Sequence, residues 1–163
     1  MKNNHFHKYI STPLGCLKII CNETALLSIS FEEMAEDNSQ NPPQILLETL
    51  IQLEEYFTGQ RKVFSLKLNP SGTTFQKEVW KWVEKVDFGK TESYLTIAKQ
   101  TGSEKNTRAV GMANGKNPIP IIIPCHRIIG TNGKLTGYAG GLPNKRWLLQ
   151  HEIEFSENNG LLF

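Results

Sequence analysis

Residues 93–118, "SYLTIAKQTGSEKNTRAVGMANGKNP", decide what the second half of this chain should look like. From Tyr94, apolar residues recur at i, i+3 and i+4, which predicts a helix with one buried face. Thr101-Gly102-Ser103 should end that helix, and its serine is a suitable N-cap for a second helix over 104–114. Two helices joined by a glycine-containing turn predict a helix-turn-helix. The second helix carries four side chains able to contact a phosphate or a base edge: Lys105, Asn106, Thr107 and Arg108.

A further helix should precede this motif. Thr73 and Gln76 have the spacing of a capping box, in which two side chains satisfy the first backbone N–H groups of a helix. An apolar stripe at helical spacing follows: Phe75, Val79, Trp82, Val83 and Val86. We interpret Phe75, Trp80 and Trp82 as core residues and not as a platform on which bases stack.

The first half of the chain predicts a small sheet and one helix. Residues 6–31 alternate as strands between turns at 13–15 and 21–24, which favours an antiparallel meander. A polar loop over 34–43 ends in two prolines, and a helix should follow and stop at Gly59. Its predicted buried face is Leu46, Leu50, Leu53 and Phe57. A short strand over 62–68 and a linker over 69–72 complete this half.

Composition narrows the class of protein. The 163 residues are 39% hydrophobic and 21% charged, as in a soluble globular protein of one domain or two small ones. We find no apolar run that could span a membrane and no signal peptide, so the expected compartment is the cytosol, with reduced cysteines. Residues 72–152 hold 12 Lys and Arg against 6 Asp and Glu, an excess that suggests a polyanionic partner.

The stretch "IPCHRIIG", residues 123–130, raises the question of reactivity, because a cysteine and a histidine are adjacent. A thiol attacks as the thiolate, and a neighbouring imidazole can take its proton directly or through a water. Consecutive strand residues point to opposite faces, so a contact between Cys125 and His126 requires a turn or a bridging water. Glu152, in "LLQHEIE", is a candidate to orient the base. The alternative is that Cys125 is a small buried hydrophobic residue.

Two other features carry weaker signals. The glycine-rich stretch "GTNGKLTGYAGG" matches neither a phosphate loop nor a dinucleotide fingerprint, but its backbone could approach a flat ligand. Cys16 and Cys21, with His5 and His7, do not have a usual zinc-ligand spacing, so we predict no metal site. The residues alone therefore leave three classes open: a thiol-using enzyme acting on nucleic acid, a redox-sensing transcription factor, and a binding protein without chemistry.

The segments "GTTFQKEVWKWVEKV", "GKTESYLTIAKQTG" and "TRAVGMANGKNPIPIIIPCHRIIGTNGKLTGYAGGLPNKRWLLQHE" together resemble the O6-alkylguanine-DNA alkyltransferases over about Gly72–Glu152. Residues 8–31 resemble the N-terminal domain of the same family more loosely. The resemblance implies an α/β chain: a ribonuclease-H-like sheet-plus-helix domain over 1–70, then a mostly helical domain over 71–163 that carries the helix-turn-helix.

The resemblance also implies a function, which is DNA repair by transfer of an alkyl group from O6-alkylguanine, and O4-alkylthymine as well, to the protein's own cysteine in a single turnover. Cys125 would accept the alkyl group, His126 would act as base through a water, and Glu152 would orient it. Asn117 would brace the active-site turn, and Tyr94 would donate a hydrogen bond to guanine N3. Arg108 would fill the gap left by the flipped base. DNA contacts would come from Asn106, Thr107 and Ala109. Tyr138 would line the alkyl pocket with Pro120, and backbone groups near Cys125, Ile128 and Ala139 would read the guanine edges.

Asn106 and Thr107 stand where the family usually has two small residues, and larger side chains could alter docking in a minor groove about 6 Å wide. Cys125 stands where the non-repairing alkyltransferase-like relatives have tryptophan, so we predict a competent enzyme. It should be a cytosolic monomer that binds double-stranded DNA containing O6-alkylguanine, without a cofactor, metal or membrane. The alternative hypothesis is a DNA-binding alkylation or redox sensor that uses the same cysteine. Such a sensor would react with peroxide or free alkylating agents and ignore alkylated DNA.

Overall fold

The computed structural model describes residues 4–37 and 40–156. The chain divides between Ser71 and Gly72 into two compact units, a sheet with one helix and then a mostly helical unit. This mixture of strands and helices confirms the predicted fold class. Within the described ranges, no helix is long and apolar enough to cross a membrane.

The first unit contains the predicted antiparallel meander. Strands β1 (Phe6–Thr12), β2 (Gly15–Cys21) and β3 (Leu26–Phe31) pair in the order β1-β2-β3. The alternation of β2 turns Leu17 and Ile19 into the core. Gly15 opens β2 with a φ of 101°, a conformation that favours glycine, and this explains the tight turn from β1.

Helix α1 (Gln44–Phe57) packs on this sheet, with a buried face rotated from the predicted one. The helix starts after Pro43, and Gly59 follows its C-cap with a φ of 82°, as predicted. Leu46 and Leu53 are buried, but Leu50 and Phe57 are only half-buried. The residues that complete the buried face are Ile45, Thr49, Gln52 and Tyr56. The apolar spacing alone did not reveal that polar side chains would share this face.

The prediction of a strand over 62–68 was wrong. The segment makes one isolated parallel bridge, between Leu26 and Leu68. The side-chain amide of Gln52 instead accepts a hydrogen bond from the Ser65 backbone N–H at 2.9 Å and donates to the Ser65 carbonyl at 3.3 Å. A buried side chain therefore satisfies backbone groups that a neighbouring strand would otherwise pair.

The second unit starts with α2 (Thr74–Glu84) and its predicted capping box between Thr73 and Gln76. Trp80 is the aromatic core residue of this helix, and its indole N–H donates to the Ala113 carbonyl at 2.8 Å. The other members of the predicted aromatic core, Phe75 and Trp82, are half-buried. A hydrogen bond from the buried indole therefore connects α2 to the helix-turn-helix.

The helix-turn-helix follows the prediction with one local difference. Helix α3 (Tyr94–Gln100) leads through Gly102 to Ser103, whose side chain caps the next segment. That segment is a 3₁₀ turn (Glu104–Asn106), and α4 (Thr107–Gly115) follows it, where one helix over 104–114 was expected. The side chain of Asn106 donates to the Thr101 hydroxyl at 3.2 Å and so faces the preceding turn.

The remaining elements converge on the Cys-His stretch. Two short parallel strands, β4 (Glu92–Ser93) and β5 (Ile128–Ile129), place the start of α3 beside the segment that follows His126. Helix α5 (Leu142–Glu154) begins after Gly141, which has a φ of 91°. This helix supplies two buried charged side chains to the unit, Lys145 and Glu152.

Candidate active site

A braced turn presents the candidate nucleophile. The side chain of Asn117 closes this turn, since it accepts from the Ile119 N–H at 2.9 Å and donates to the Ile123 carbonyl at 2.8 Å. The same carbonyl accepts from the Cys125 N–H at 2.7 Å. Ile121, inside the turn, has a φ of 76°, which is strained for a β-branched residue. The hydrogen bonds of Asn117 hold this costly conformation next to Cys125.

Cys125 is buried, with 5% of its surface exposed, and it opens a 3₁₀ turn (Cys125–Arg127). This is the turn that a cooperating Cys-His pair requires in place of a strand. Burial raises the pKa of the Cys125 thiol to about 11, although a hydrogen bond from Asn117 and the charge of Lys145 act in the opposite direction. The thiol is therefore protonated at neutral pH, and attack by its sulfur requires a base.

His126 has the geometry of that base. It is fully buried, and its Nε2 lies 2.7 Å from Oε2 of Glu152. Burial lowers the pKa of His126, against the opposing effect of Glu152, so the imidazole is neutral at rest. A neutral imidazole that donates Nε2–H to a carboxylate carries its lone pair on Nδ1. Nδ1 is buried and makes no hydrogen bond within the described residues, so it can accept a proton.

Glu152 is held as a carboxylate by a network that the sequence did not reveal. Arg127 donates to it twice, from Nε to Oε1 at 2.8 Å and from Nη2 to Oε2 at 3.0 Å. The Gly89 N–H adds a bond of 3.2 Å to Oε1. Burial alone would raise the pKa of Glu152, but His126 and Arg127 outweigh it and hold that pKa well below its ordinary value. Arg127 is anchored in turn by the Val86 carbonyl, at 2.6 Å from Nη1.

Sequence analysis missed two further contributors to the site. Asn114 donates from Nδ2 to the Cys125 carbonyl at 3.2 Å, and so ties α4 to the nucleophile. Lys145 is completely buried, and its Nζ donates to the carbonyls of Ile128 at 2.7 Å and Thr136 at 2.9 Å. Both residues lie in segments rich in apolar residues, which could have indicated that they are buried. A buried amide or ammonium group must make hydrogen bonds within the protein.

A groove with a volume of about 590 Å³ lies beside this cluster. It is lined by Tyr94, Thr107, Arg108, Gly111, Met112, Asn114, Gly115, Thr136, Gly137, Tyr138 and Ala139. The structure thus brings five of the predicted binding residues to one groove: Tyr94, Thr107, Arg108, Tyr138 and Ala139. Burial raises the pKa of Tyr138 well above its ordinary value, so its phenol is neutral.

Other predicted residues lie elsewhere. Pro120 and Ile128 are buried and do not line the groove. Asn106 faces the Thr101 side of its turn, and Ala109 is exposed on α4, outside the groove lining. Among the described residues, no group of three or more His, Cys, Asp and Glu side chains could hold a metal ion.

Comparisons with protein families match almost the whole chain. Residues 5–70 match the ribonuclease-like domain of 6-O-methylguanine DNA methyltransferase, and residues 74–154 match the DNA binding domain of the same enzyme. The two matches follow each other in the order that was expected for the two halves.

Curated relatives carry the corresponding name. The methylated-DNA–protein-cysteine methyltransferase of Methanosarcina acetivorans is 42% identical over 152 residues, with 90% of this chain and 97% of the relative covered. The constitutive methylated-DNA–protein-cysteine methyltransferase of Bacillus subtilis is 41% identical over 163 residues, covering 94% of this chain and 99% of the relative.

Solved structures agree with these relatives. The crystal structure of Mycobacterium tuberculosis O6-methylguanine methyltransferase has a TM-score of 0.85 at 38% identity, and covers 98% of this chain and 99% of that one. The M. tuberculosis protein in complex with DNA has a TM-score of 0.81 at 40% identity, and covers 96% and 98%.

Proposed function

The chain belongs to the 6-O-methylguanine DNA methyltransferase family, and on that premise we propose that Cys125 accepts an alkyl group from O6 of an alkylated guanine in duplex DNA. The protein is an enzyme that repairs DNA by transferring the alkyl group to a cysteine. The observation that carries the choice of Cys125 is the His126–Glu152 pair, whose histidine shares a 3₁₀ turn with Cys125 and has its Nδ1 available.

The chemistry follows from these protonation states. His126 removes the proton of the Cys125 thiol through a water, and the charge that forms on the imidazole is stabilised by ionised Glu152. The sulfur attacks the alkyl carbon, a C–S bond forms, and the C–O6 bond breaks with its electron pair left on guanine. The proton taken from sulfur reaches the guanine by way of His126 and solvent, which restores a neutral base. The thioether has no route back to a thiol, so each molecule acts once.

Recognition of the base is assigned to the groove. Tyr94 donates a hydrogen bond to N3 of guanine, where negative charge develops as the C–O6 bond breaks. Tyr138 and the Ala139 backbone contact the base from the glycine-rich loop. The Ile128 carbonyl already accepts from Lys145, so its second lone pair is the one left for a guanine edge. Pro120, buried in the turn before Cys125, lines the alkyl pocket with Tyr138 in this proposal.

Binding to DNA is assigned to α4. Arg108 is exposed at the groove, and we propose that it fills the gap in the base stack when the alkylated nucleotide flips out. Thr107 and Ala109 flank it on the same helix and contact the backbone. The side-chain amide of Asn106 donates to Thr101, so this side chain is directed towards its own turn and away from the DNA. The protein therefore tolerates asparagine at a position where the family usually has a small residue.

The remaining expectations complete the proposal. The protein acts as a cytoplasmic monomer, and O4-alkylthymine is a second substrate. The protein has two domains, 1–70 and 71–163. All residues assigned to catalysis and DNA binding belong to the second. That division is supported by the separate compactness of the two units.

The test is a reaction with a duplex carrying one O6-methylguanine, followed by mass analysis of the peptides. The peptide containing Cys125 should gain one methyl group per protein molecule and then stop reacting. The peptides containing Cys16 and Cys21 are internal controls, and an unmodified duplex is the substrate control. If Cys125 stays unmodified while the protein binds the duplex, the repair assignment fails and the sensor hypothesis replaces it.

A further inference from the structure

The glycine-rich loop that lines the groove is fixed to the protein core by Lys145. This lysine is fully buried, and its ammonium group bridges the carbonyls of Ile128 and Thr136. A second closure within the loop, from the Gly130 N–H to the Lys134 carbonyl at 3.0 Å, restrains the backbone before Thr136. These hydrogen bonds therefore restrain the Thr136 backbone, although the residue is exposed.

The Thr136 side chain reaches across the groove to α3. Its hydroxyl oxygen lies 2.7 Å from the hydroxyl oxygen of Tyr94, and either oxygen can be the donor. Both residues line the groove. Tyr94 has one hydroxyl hydrogen, so if it donates to Thr136 it has none left for a base. If Thr136 is the donor, the hydrogen of Tyr94 is free to point into the groove.

We propose that Thr136 is a positioning residue for alkyl transfer: it donates its hydroxyl hydrogen to the Tyr94 oxygen and thereby directs the Tyr94 hydroxyl at the base in the groove. This inference rests on the proposed function, because it extends the role of Tyr94 there. A hydroxyl that accepts a hydrogen bond becomes a stronger donor itself, since neighbouring bonds in a chain polarise one another. The chain Thr136–Tyr94–guanine thus strengthens as charge develops on the leaving base.

The decisive experiment measures the single-turnover rate of methyl transfer from an O6-methylguanine duplex at saturating protein. Thr136→Val keeps the shape of the side chain without its hydroxyl, and Thr136→Ser keeps the hydroxyl. We expect Thr136→Val to slow transfer by about 3- to 10-fold, the usual effect of one hydrogen bond, with an unchanged dissociation constant for the duplex. Thr136→Ser should remain within about 2-fold of the wild type.

A double-mutant cycle separates this role from a structural one. In a Tyr94→Phe background, Thr136→Val should cause no further loss, because its effect passes through the missing Tyr94 hydroxyl. An equal loss in both backgrounds would overturn the inference, since Thr136 would then act through the shape of the loop. Thr136→Ala, with its melting temperature measured, provides a second hydroxyl-free variant if Thr136→Val is poorly folded.

The inference and the proposed function fail in different ways. If the wild-type protein transfers the methyl group and Thr136→Val does so at the same rate, the inference alone is overturned. If the wild-type protein transfers no methyl group to Cys125, the proposed function is overturned and the inference with it.

Discussion

Cys21 and Cys125 are two buried thiols in different units of one chain, and they differ in their neighbours. Cys21 is the last residue of β2, completely buried, and burial raises the pKa of its thiol to about 11. Burial raises the pKa of Cys125 to about 11 as well. Both thiols are therefore protonated at neutral pH, so ionisation at rest does not distinguish a reactive cysteine from an inert one.

Their surroundings do distinguish them. Cys21 pairs with Phe6 and Leu26 in the sheet, and burial raises the pKa of its thiol. Cys125 starts a turn that also contains His126. Asn117 and Lys145 partly offset the effect of burial on the pKa of its thiol. A base and donors placed to act during the reaction, and not the resting pKa, identify the nucleophile.

The strongest test of this comparison removes each thiol in turn. Cys125→Ala should abolish methyl acceptance from an O6-methylguanine duplex, because the sulfur that precedes the buried base His126 is removed. Cys21→Ala should retain full stoichiometry, with a loss of about 1 kcal/mol in unfolding free energy from the deleted core atoms. Counting methyl groups per protein by mass spectrometry is the measurement. Residual stoichiometric transfer in Cys125→Ala would show that the acceptor is a different residue.

The next largest effect concerns the base. His126→Gln keeps a polar side chain but cannot take a proton, and the single-turnover rate should fall by about 10²- to 10⁴-fold. His151 offers a matched control in the same unit: it is buried and stacks on Trp147 at 4.8 Å between ring centroids. His151→Gln should leave the rate within about 2-fold. Similar losses of rate in both variants would contradict the prediction. They would indicate that the substitutions act by disturbing helix α5, which carries His151 and the His126 partner Glu152, and not by removing a base.

Local chemistry explains which elements were predictable. The capping box of α2, the glycine after α1 and the serine cap inside the helix-turn-helix act through residues close in sequence, and all three were confirmed. The strand predicted over 62–68 failed because Gln52, 13 residues away, satisfies the Ser65 backbone. An apolar pattern cannot show that a distant side chain will replace a strand.

The candidate site divides along the same line. Cys125, His126 and Glu152 were predicted because their residue types carry chemistry, and the resemblance to known alkyltransferases assigned their roles. Arg127 and Lys145 were missed, because charged residues are ordinarily solvated and nothing local shows that they are buried. Their partners lie 25 residues away for Arg127, at Glu152, and 17 and 9 residues away for Lys145, at Ile128 and Thr136. Only the folded chain brings these groups together.

A smaller effect on the rate, and a clear one on stability, should follow from Glu152→Gln. The substitution removes the charge that compensates buried Arg127, so unfolding free energy should fall by roughly 3 kcal/mol. His126 also loses the anion that orients it, and transfer should slow by about 10-fold or more. Urea denaturation and single-turnover kinetics measure the two effects. Glu154→Gln, at an exposed position two residues further along α5, is the control and should change neither.

The smallest expected effect is the loss of unfolding free energy at alkaline pH that the two buried thiols cause. An unfolded cysteine ionises near pH 8.5, whereas the pKa of each buried thiol is raised to about 11. The stabilisation from each neutral thiol is fully present below pH 8.5 and is lost as the pH rises through 11, at a slope of at most about 1.4 kcal/mol per pH unit per thiol. Urea unfolding of the wild type, Cys21→Ala and Cys125→Ala across this range isolates the two contributions, since other titrating groups are shared.

Methylation of Cys125 sharpens that measurement. A thioether cannot ionise. The protein methylated at Cys125 should therefore lose unfolding free energy at alkaline pH as gradually as Cys125→Ala does, while Cys21 still contributes its own part. The unmodified and methylated proteins are compared at pH 9–11 in urea. If methylation leaves the alkaline slope unchanged, the pKa of Cys125 in the folded protein is no higher than in the unfolded chain, and the two buried thiols would then differ in their resting pKa as well as in their neighbours.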